Sequence, residues 1–248
     1  MTPPIYRFDK SAQATTSLAP GGIADYLAAL QSEQDVISGY DNVPLKHYNV
    51  MPHAKAQLLH AESAGLVFDA VRWGWKPHWA GPGGPKNDFN ARLDTVASSK
   101  FYRTVWPHRA LVCADGWYEW LKNPQDKKDN QPYYLRAKGG SVLFIPAVGQ
   151  FPALGQPPRD DDGFRMITDD ATGGMLDVHD RRPVVLTGEQ AREWLHQDTS
   201  SERAEQLLRQ GLPAEAFEWF RVSKAVSQRE DGPHLIQPLP NHQASPGA

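Results

Sequence analysis

Residues 109–120 read Arg109-Ala-Leu-Val-Cys-Ala-Asp-Gly-Trp-Tyr-Glu-Trp120 and contain the clearest strand signal of the chain. An apolar run from Ala110 to Ala114 is followed by Asp-Gly and then by aromatic residues on both sides of Glu119. A short apolar run that ends at a turn dipeptide predicts a buried β-strand. The aromatic segment after the turn predicts either a continuation of that strand or its partner.

The single carboxylate of the aromatic segment after the turn, Glu119, is surrounded in sequence by three aromatic residues. A carboxyl group held in such a low-dielectric place has a raised pKa, which suits a general acid or a base that works near neutral pH. The alternative is that Glu119 faces solvent between two core tryptophans. Taken by itself, the segment favours the alternative.

The composition predicts one globular domain with many loops and short strands. The chain has 248 residues, of which 40% are hydrophobic and 22% charged, with 21 prolines and 20 glycines. Strand patterns outnumber amphipathic helices, which predicts a mostly-β or α+β fold. We expect one domain over residues 1–240 and a disordered tail at 241–248, because the tail is polar and has few apolar residues.

Charge and cysteine content exclude several classes of protein. The net charge of −3 argues against wholesale nonspecific binding of nucleic acid, although a local basic groove remains compatible with it. The one cysteine, Cys113, excludes an internal disulfide and a multi-cysteine zinc site, and fits a reducing cytoplasm. Its place in the apolar run predicts a core thiol. The sequence contains neither an apolar run of membrane-spanning length nor a signal peptide, so we expect a cytoplasmic protein without membrane contact.

Hydrophobic periodicity predicts the main elements. Apolar positions three and four apart predict a first helix at about 22–34, and Thr187 with Gln190 forms a predicted capping box at the start of another. A proline- and glycine-rich loop at 76–87 is long enough to be functional. The remaining predictions are a hairpin at 58–59 and 65–75, strands at 133–135, 142–148, 164–168 and 217–222, and a helix at 201–210.

Four polar residues lie within apolar segments: Asn90, Arg92, Glu119 and His179. Buried polar groups normally pair with one another, and each of these alone is more often structural than catalytic. A His–Glu–Asn set is suited to acid–base work on a carbonyl or an imine. The nine histidines show no metal-binding spacing and the sequence has no GxSxG motif, so we expect no metal, no cofactor and no serine triad.

Aromatic and basic residues leave a nucleic-acid function open. Tryptophans can stack on bases and arginines can hold phosphates. For two of the tryptophans, Trp73 and Trp117, a place in the core is the favoured interpretation. The candidates for stacking are Trp73, Trp75, Trp79 and Trp120, and those for phosphate binding are Arg7, Arg92 and Arg181.

Five motifs, in order and at matching spacing, carry a resemblance. They are Tyr48-Asn-Val-Met-Pro52, Trp73-Gly-Trp-Lys-Pro77, Asn90-Ala-Arg92, Ala114-Asp-Gly-Trp-Tyr-Glu-Trp120 and His179-Asp-Arg-Arg-Pro-Val-Val-Leu186. Together they resemble the SOS-response-associated peptidase (SRAP) family of abasic-site processing proteins. The resemblance extends from Arg7-Phe8 to about Pro238.

The resemblance implies an α+β fold, with an open, barrel-like arrangement of mixed sheets, peripheral helices and a positively lined groove for single-stranded or abasic DNA. The resemblance also implies the family's crosslinking reaction with abasic sites, which uses an N-terminal cysteine. The amine of that cysteine attacks the sugar aldehyde, and its thiol then closes a thiazolidine. By motif match, Asn90 holds the N-terminal residue or sugar, Glu119 transfers protons, and His179 assists ring opening and crosslink reversal. The DNA-binding residues so implied are Arg7, Pro52, Trp79, Arg92, Trp120, Thr168 and Arg181, with Pro52 as a wedge and Trp79 as a stacking surface.

The chain departs from this pattern before Arg7. The family sequence there is Met-Cys-Gly-Arg-Phe, whereas this chain has Ile5 and Tyr6 in place of cysteine and glycine. We therefore expect a member of the family that binds single-stranded or abasic DNA as a monomer in the DNA damage response, with the crosslinking step lost or altered. Two alternatives are a non-catalytic single-stranded DNA-binding module with a damage- or phage-related role and, ranked last for want of a nucleophile, a peptide hydrolase.

Overall fold

A computed structural model describes residues 15–17, 23–32, 36–38, 47–81, 89–126, 129–154 and 156–240. Within these residues the chain forms four α-helices, α1 (Ile23–Leu30), α2 (Leu93–Val96), α3 (Gly188–Leu195) and α4 (Ser201–Arg209). The same residues contain the strands β1 (Thr15–Ser17), β2 (Val36–Ser38), β3 (Lys55–Glu62), β4 (Gly65–Arg72), β5 (Asn90–Arg92), β6 (Arg109–Ala114), β7 (Gly116–Leu121), β8 (Gln131–Ala137), β9 (Leu143–Gln150), β10 (Gly163–Asp170), β11 (Arg181–Pro183) and β12 (Phe217–Arg221).

The described strands build two sheets. The larger has the order β11-β10-β9-β6-β3-β4-β2, and β5 adds to β10 beside this path. Its pairs are antiparallel except for β2 with β4 and β5 with β10, which are parallel. The smaller sheet has the order β1-β7-β8-β12 and is antiparallel. The fold is therefore α+β with mixed, open sheets and peripheral helices, as predicted.

The Asp115-Gly116 break moves the chain from one sheet to the other. β6 ends at Ala114 in the larger sheet and β7 begins at Gly116 in the smaller one. A β-carbon on Gly116 would lie 2.5 Å from Cζ of Tyr134, so only glycine allows β7 to approach β8 this closely. The hydroxyl of Tyr26 in α1 donates a hydrogen bond of 3.2 Å to Asp115 and anchors the crossing. The aromatic segment is thus neither a continuation of β6 nor its partner.

Three hydrophobic clusters pack the helices and the two sheets against one another. The helix-side core joins the helices to one face of the larger sheet and includes Leu111, Cys113 and Trp194. The inter-sheet core fills the space between the two sheets and includes Trp117 and Met166. The outer cluster covers the other face of the smaller sheet with Tyr118, Tyr134 and Leu235. Residues that alternate along β6 and β7 therefore face different clusters, as the period of a strand requires.

Most of the predicted elements are present. The hairpin is β3–β4, and α3 begins at Thr187 with the capping box formed in both directions. α1 ends at Leu30, earlier than expected, because Gln31 adopts a left-handed backbone with φ 51°. Residues 5–8, the second half of the loop at 76–87 and the tail at 241–248 lie outside the described residues, and a single domain over 1–240 stays a prediction. None of the described helices has the length and apolar character needed to cross a membrane.

Candidate functional site between the sheets

Glu119 lies on the inner face of the smaller sheet. It follows Trp117 by two positions in β7, so both side chains face the inter-sheet core. Only 2% of Glu119 is exposed, which shows that the solvent-facing interpretation was wrong. Burial raises the pKa of its carboxyl group well above the ordinary value, and the charge of Asp180 raises it further. In the described part of the chain, Oε2 of Glu119 has no hydrogen-bond partner.

His179 stands next to this carboxyl group. It follows the 3₁₀ turn Gly173–Asp177, and its Nδ1 lies 3.9 Å from Oε2 of Glu119. The backbone of Arg181 fixes the ring, since Nδ1 lies 3.1 Å from both its N–H and its carbonyl oxygen. Burial lowers the pKa of His179, opposed by Asp180, whose Oδ1 is 3.3 Å from Nδ1.

Both pKa shifts favour uncharged side chains. A neutral carboxyl group can donate a proton and a neutral imidazole can accept one. The separation of 3.9 Å between Nδ1 of His179 and Oε2 of Glu119 exceeds a hydrogen-bond distance, so these two atoms do not bond to each other. The pair can therefore move one proton onto a substrate and another off it in the same encounter.

Asn90 faces the same core from the larger sheet. It is the parallel partner of Met166, whose side chain belongs to the inter-sheet core, and neighbours across a pair of strands share a face. The structure thus brings Glu119 and His179 together and turns Asn90 toward the cluster that contains Trp117. A direct contact of Asn90 with the pair stays a prediction.

Arg92, Thr168 and Arg181 form a basic patch at this end of the larger sheet. Arg92 pairs with Thr168 across β5 and β10, and Arg181 donates hydrogen bonds of 2.7 and 3.1 Å to the carbonyl and hydroxyl oxygens of Thr168. Burial lowers the pKa of Arg181, and the nearby Arg92 charge lowers it further. Each arginine also holds a carboxylate: Arg92 binds Asp94 at 2.7 and 3.0 Å, and Arg181 binds Asp170 at 2.6 Å.

Comparison with known proteins identifies the family of this chain. A model of the family "SOS response associated peptidase (SRAP)" matches residues 18–229. An abasic site processing protein of Escherichia coli is 38% identical over 87% of this chain and 95% of its own length. A second one, from Bacillus subtilis, is 29% identical over 77% of this chain and 85% of its own length. The chain belongs to the SRAP family.

Solved structures agree with this assignment. A phage-related protein of Bordetella bronchiseptica is 33% identical, with a TM-score of 0.67 over 86% of this chain and 94% of that one. A protein of Bacteroides thetaiotaomicron at 18% identity has a TM-score of 0.68 over 91% of this chain and 99% of that one, which shows the same fold.

The candidate stacking tryptophans differ in how far they are exposed to solvent. Trp79 is 62% exposed and meets Phe101 edge-on at 5.8 Å between ring centroids, as a stacking surface requires. Trp73 is 1% exposed, which confirms its predicted place in the core, whereas the interpretation of Trp75 as a stacking residue was wrong because it is 3% exposed. Trp120 points away from Glu119 into the outer cluster and donates a 2.9 Å hydrogen bond to Ser227.

Pro52 and Arg7 are two more of the DNA-binding residues that the resemblance implies. Pro52 is buried in the turn before β3, where a wedge role depends on the turn rather than on an exposed ring. Arg7 lies outside the described residues. Roles in DNA binding stay predictions for all seven residues: Arg7, Pro52, Trp79, Arg92, Trp120, Thr168 and Arg181.

Sequence reasoning missed the acidic residues of the candidate site. Asp180 touches His179, while Asp94 and Asp170 occupy the two arginines. The His-Asp-Arg-Arg run carried a signal for Asp180, because it places an acid beside a titratable ring. Among the described residues, no group of three or more His, Cys, Asp or Glu side chains is arranged to hold a metal ion.

Proposed function

We propose that this protein binds single-stranded DNA at an abasic site and opens the ring of the lesion sugar with Glu119 and His179. The observation that carries the proposal is the buried carboxyl group of raised pKa 3.9 Å from an imidazole of lowered pKa. Membership of the SRAP family and the names of relatives as abasic site processing proteins support the choice of substrate.

The chemistry needs two proton transfers. An abasic sugar is a cyclic hemiacetal, and opening it removes the proton of the C1′ hydroxyl while the ring oxygen gains one. Neutral His179 accepts the first proton and neutral Glu119 donates the second, which leaves an aldehyde and a ring-opened alcohol. Such general acid–base catalysis is worth about 10²–10⁴-fold in rate.

The grip on DNA is local. Because the net charge is −3, phosphates are held by the patch of Arg92, Thr168 and Arg181 rather than by the whole surface. Exposed Trp79 offers a ring to an unpaired base, which a single strand presents and a duplex does not.

Covalent capture through a thiazolidine is not part of the proposal. It requires an amine and a thiol on one residue, and Ile5 stands at the family's cysteine position. The one cysteine of the chain, Cys113, is 1% exposed and faces the helix-side core, away from Glu119. Burial also raises the pKa of its thiol.

The test measures ring opening directly. A single-stranded oligonucleotide with one abasic site is mixed with an alkoxyamine, which reacts with the open aldehyde, and oxime formation is followed with and without protein. We expect the wild type to accelerate trapping, and Glu119→Gln and His179→Ala to slow it by about 100-fold relative to the wild type. Glu205→Gln, on α4, is the matched control.

Two results would contradict the proposal. Trapping at the same rate with and without protein would show that the protein does not open the sugar ring. Equal binding of abasic and intact strands would show that the protein does not recognise the lesion and is a general DNA-binding module.

A further inference from the structure

A groove beside Glu119 has no role in the function proposed above. Its volume is about 690 Å³, and it lies along the edge strand β12 of the smaller sheet. Tyr133, Trp219 and Arg221 line it on one side, and Phe220 with residues 236–239 closes it around the strand edge. A volume of this size is in the range that holds a small organic ligand such as one nucleotide.

Strand register connects this groove to the catalytic pair. Glu119 is paired directly with Tyr133, and Tyr133 is paired directly with Arg221. Directly opposed residues share a face of a sheet, so the three side chains form one row on the inner face. Two strand spacings separate the Cα atoms of Glu119 and Arg221, or about 10 Å.

Trp219 joins the groove to the segment that carries His179. It belongs to the same face of β12 as Arg221, two positions away, and packs against the inter-sheet core. A β-carbon on Gly174 would lie 3.1 Å from its indole, so the 3₁₀ turn that leads to His179 rests against Trp219. Residues that line the groove are therefore neighbours of Glu119 in the sheet and of the turn that carries His179.

The lining has the chemistry of a nucleotide subsite. Half-buried Trp219 and Tyr133 offer aromatic surface to a base, and exposed Arg221 offers a guanidinium group to a phosphate. Arg221 donates a 3.1 Å hydrogen bond to the side-chain oxygen of Gln131, a neutral partner that leaves its charge uncancelled. By contrast, Arg136 at the same groove is engaged by the carboxylate of Glu218 at 2.7 Å.

We infer that Tyr133, Trp219 and Arg221 form a subsite for the nucleotide next to the lesion on one side of the strand. The inference rests on the proposed function, because it places the lesion sugar at Glu119. The base stacks on Trp219, and the phosphate between that nucleotide and the lesion, or the one beyond it, binds Arg221. The subsite lies on the smaller sheet, whereas the patch of Arg92 and Arg181 lies on the larger one, so the bound strand contacts both sheets.

The experiment uses three single-stranded oligonucleotides with a tetrahydrofuran abasic analogue: one with flanking nucleotides on both sides, one with only 5′ flanks and one with only 3′ flanks. Affinities are measured by fluorescence anisotropy for the wild type, Arg221→Ala, Trp219→Ala and Trp219→Phe. Arg203→Ala is the matched control, because its guanidinium pairs with Glu193 between α3 and α4 on the far side of the larger sheet. Thermal unfolding of each variant checks the fold.

We expect Arg221→Ala and Trp219→Ala to weaken binding at least about fivefold for the doubly flanked strand and for one singly flanked strand only. Trp219→Phe should restore most of the affinity, since a phenyl ring still stacks. Arg221→Ala should also reduce the slope of log affinity against log salt by about 0.7, the loss of one phosphate contact on a single strand.

Unchanged affinity of both alanine variants, or an equal loss with either flank, would overturn the inference while leaving the proposed function intact. If the wild type fails to bind any of the three strands, the proposed function fails and the subsite falls with it.

Discussion

Glu119 holds its carboxyl group where water has almost no access, and this links its protonation to folding. Its pKa is raised in the folded protein by burial, so the folded state binds the proton more tightly than the unfolded state does. The stability this proton contributes is complete at pH values below the unfolded pKa of about 4.3. It is lost as pH rises toward and through the folded pKa.

Replacing this one residue should therefore stabilise the protein at neutral and higher pH. We expect Glu119→Gln to raise the free energy of unfolding by about 1 kcal/mol at pH 8, because the amide carries no ionisation penalty. The gain should shrink as the pH falls to 4. Urea denaturation across this pH range measures it, with Glu205→Gln on α4, where the side chain is 37% exposed, as control. A gain that is the same at pH 4 and pH 8 would show that ionisation of Glu119 is not its source.

Arg92 offers a second test, since Asp94 occupies the guanidinium group that is proposed to hold a DNA phosphate. The pair is exposed, and binding a phosphate means giving up the hydrogen bonds of 2.7 and 3.0 Å to Asp94. We expect Arg92→Ala to weaken binding of single-stranded DNA by about 1–3 kcal/mol, as expected for a lost charge-assisted hydrogen bond. Asp94→Asn should strengthen binding several-fold by removing the competing charge.

A salt titration of both variants measures this competition. Arg92→Ala should lower the salt dependence of binding and Asp94→Asn should not, because it leaves the phosphate contact in place. Equal affinity of wild type and Arg92→Ala at every salt concentration, or weaker binding by Asp94→Asn, would contradict the competition.

At the scale of elements, the crossing from β6 to β7 depends on Gly116. We expect Gly116→Ala to lower the free energy of unfolding by at least about 3 kcal/mol, because the new methyl group meets the ring of Tyr134 at 2.5–2.6 Å and separates β7 from β8. The matched control is Gly139→Ala, where no atom lies within 4 Å of the added carbon and only the left-handed backbone at φ 80° is penalised. That control should lose about 1 kcal/mol. Equal losses in urea denaturation would mean that crowding at Gly116 is not the cause.

This crossing also shows which elements a sequence reveals. The apolar run at 110–114 predicts β6 correctly, and Thr187 with Gln190 predicts the start of α3, because both signals are local. The place of β7 in a separate sheet depends on the close approach of β8, which comes from a later part of the chain. Periodicity within the aromatic segment carries no information about that partner, so the prediction for β7 failed where the one for β6 succeeded.

At the scale of the whole molecule, the candidate site joins segments that are far apart in sequence. Glu119 comes from the smaller sheet, His179 from a turn after β10, and Asn90 from a strand added to the larger sheet. Their motifs were visible in the sequence, and the family resemblance named them. Local patterns alone predicted the wrong exposure for Glu119, because its burial arises only when the two sheets close over the inter-sheet core.

This architecture permits a separate test of the pocket and of the missing nucleophile. An imine between a protein amine and the sugar aldehyde hydrolyses in water unless a second nucleophile traps it, and a thiol on the same residue does so at a high effective concentration. With Ile5 at that position, we expect abasic single-stranded DNA to form no heat-stable adduct, and at most a Schiff base that borohydride fixes. Thr2 carries a hydroxyl group, but Pro3 and Pro4 stiffen its approach.

A variant rebuilt to begin Met-Cys-Gly-Arg7 restores the amine and the thiol in one residue next to Arg7. We expect it to form a heat-stable adduct without reductant, because Glu119 and His179 still open the sugar ring and the thiol then closes the thiazolidine. Denaturing electrophoresis with and without borohydride compares it with the natural chain, and the same rebuilt chain carrying Glu119→Gln is the control, in which adduct formation should slow by about 100-fold. A heat-stable adduct from the natural chain would show that another nucleophile traps the imine. If the rebuilt chain forms no adduct, the site at Glu119 and His179 does not bring the open aldehyde to the introduced cysteine.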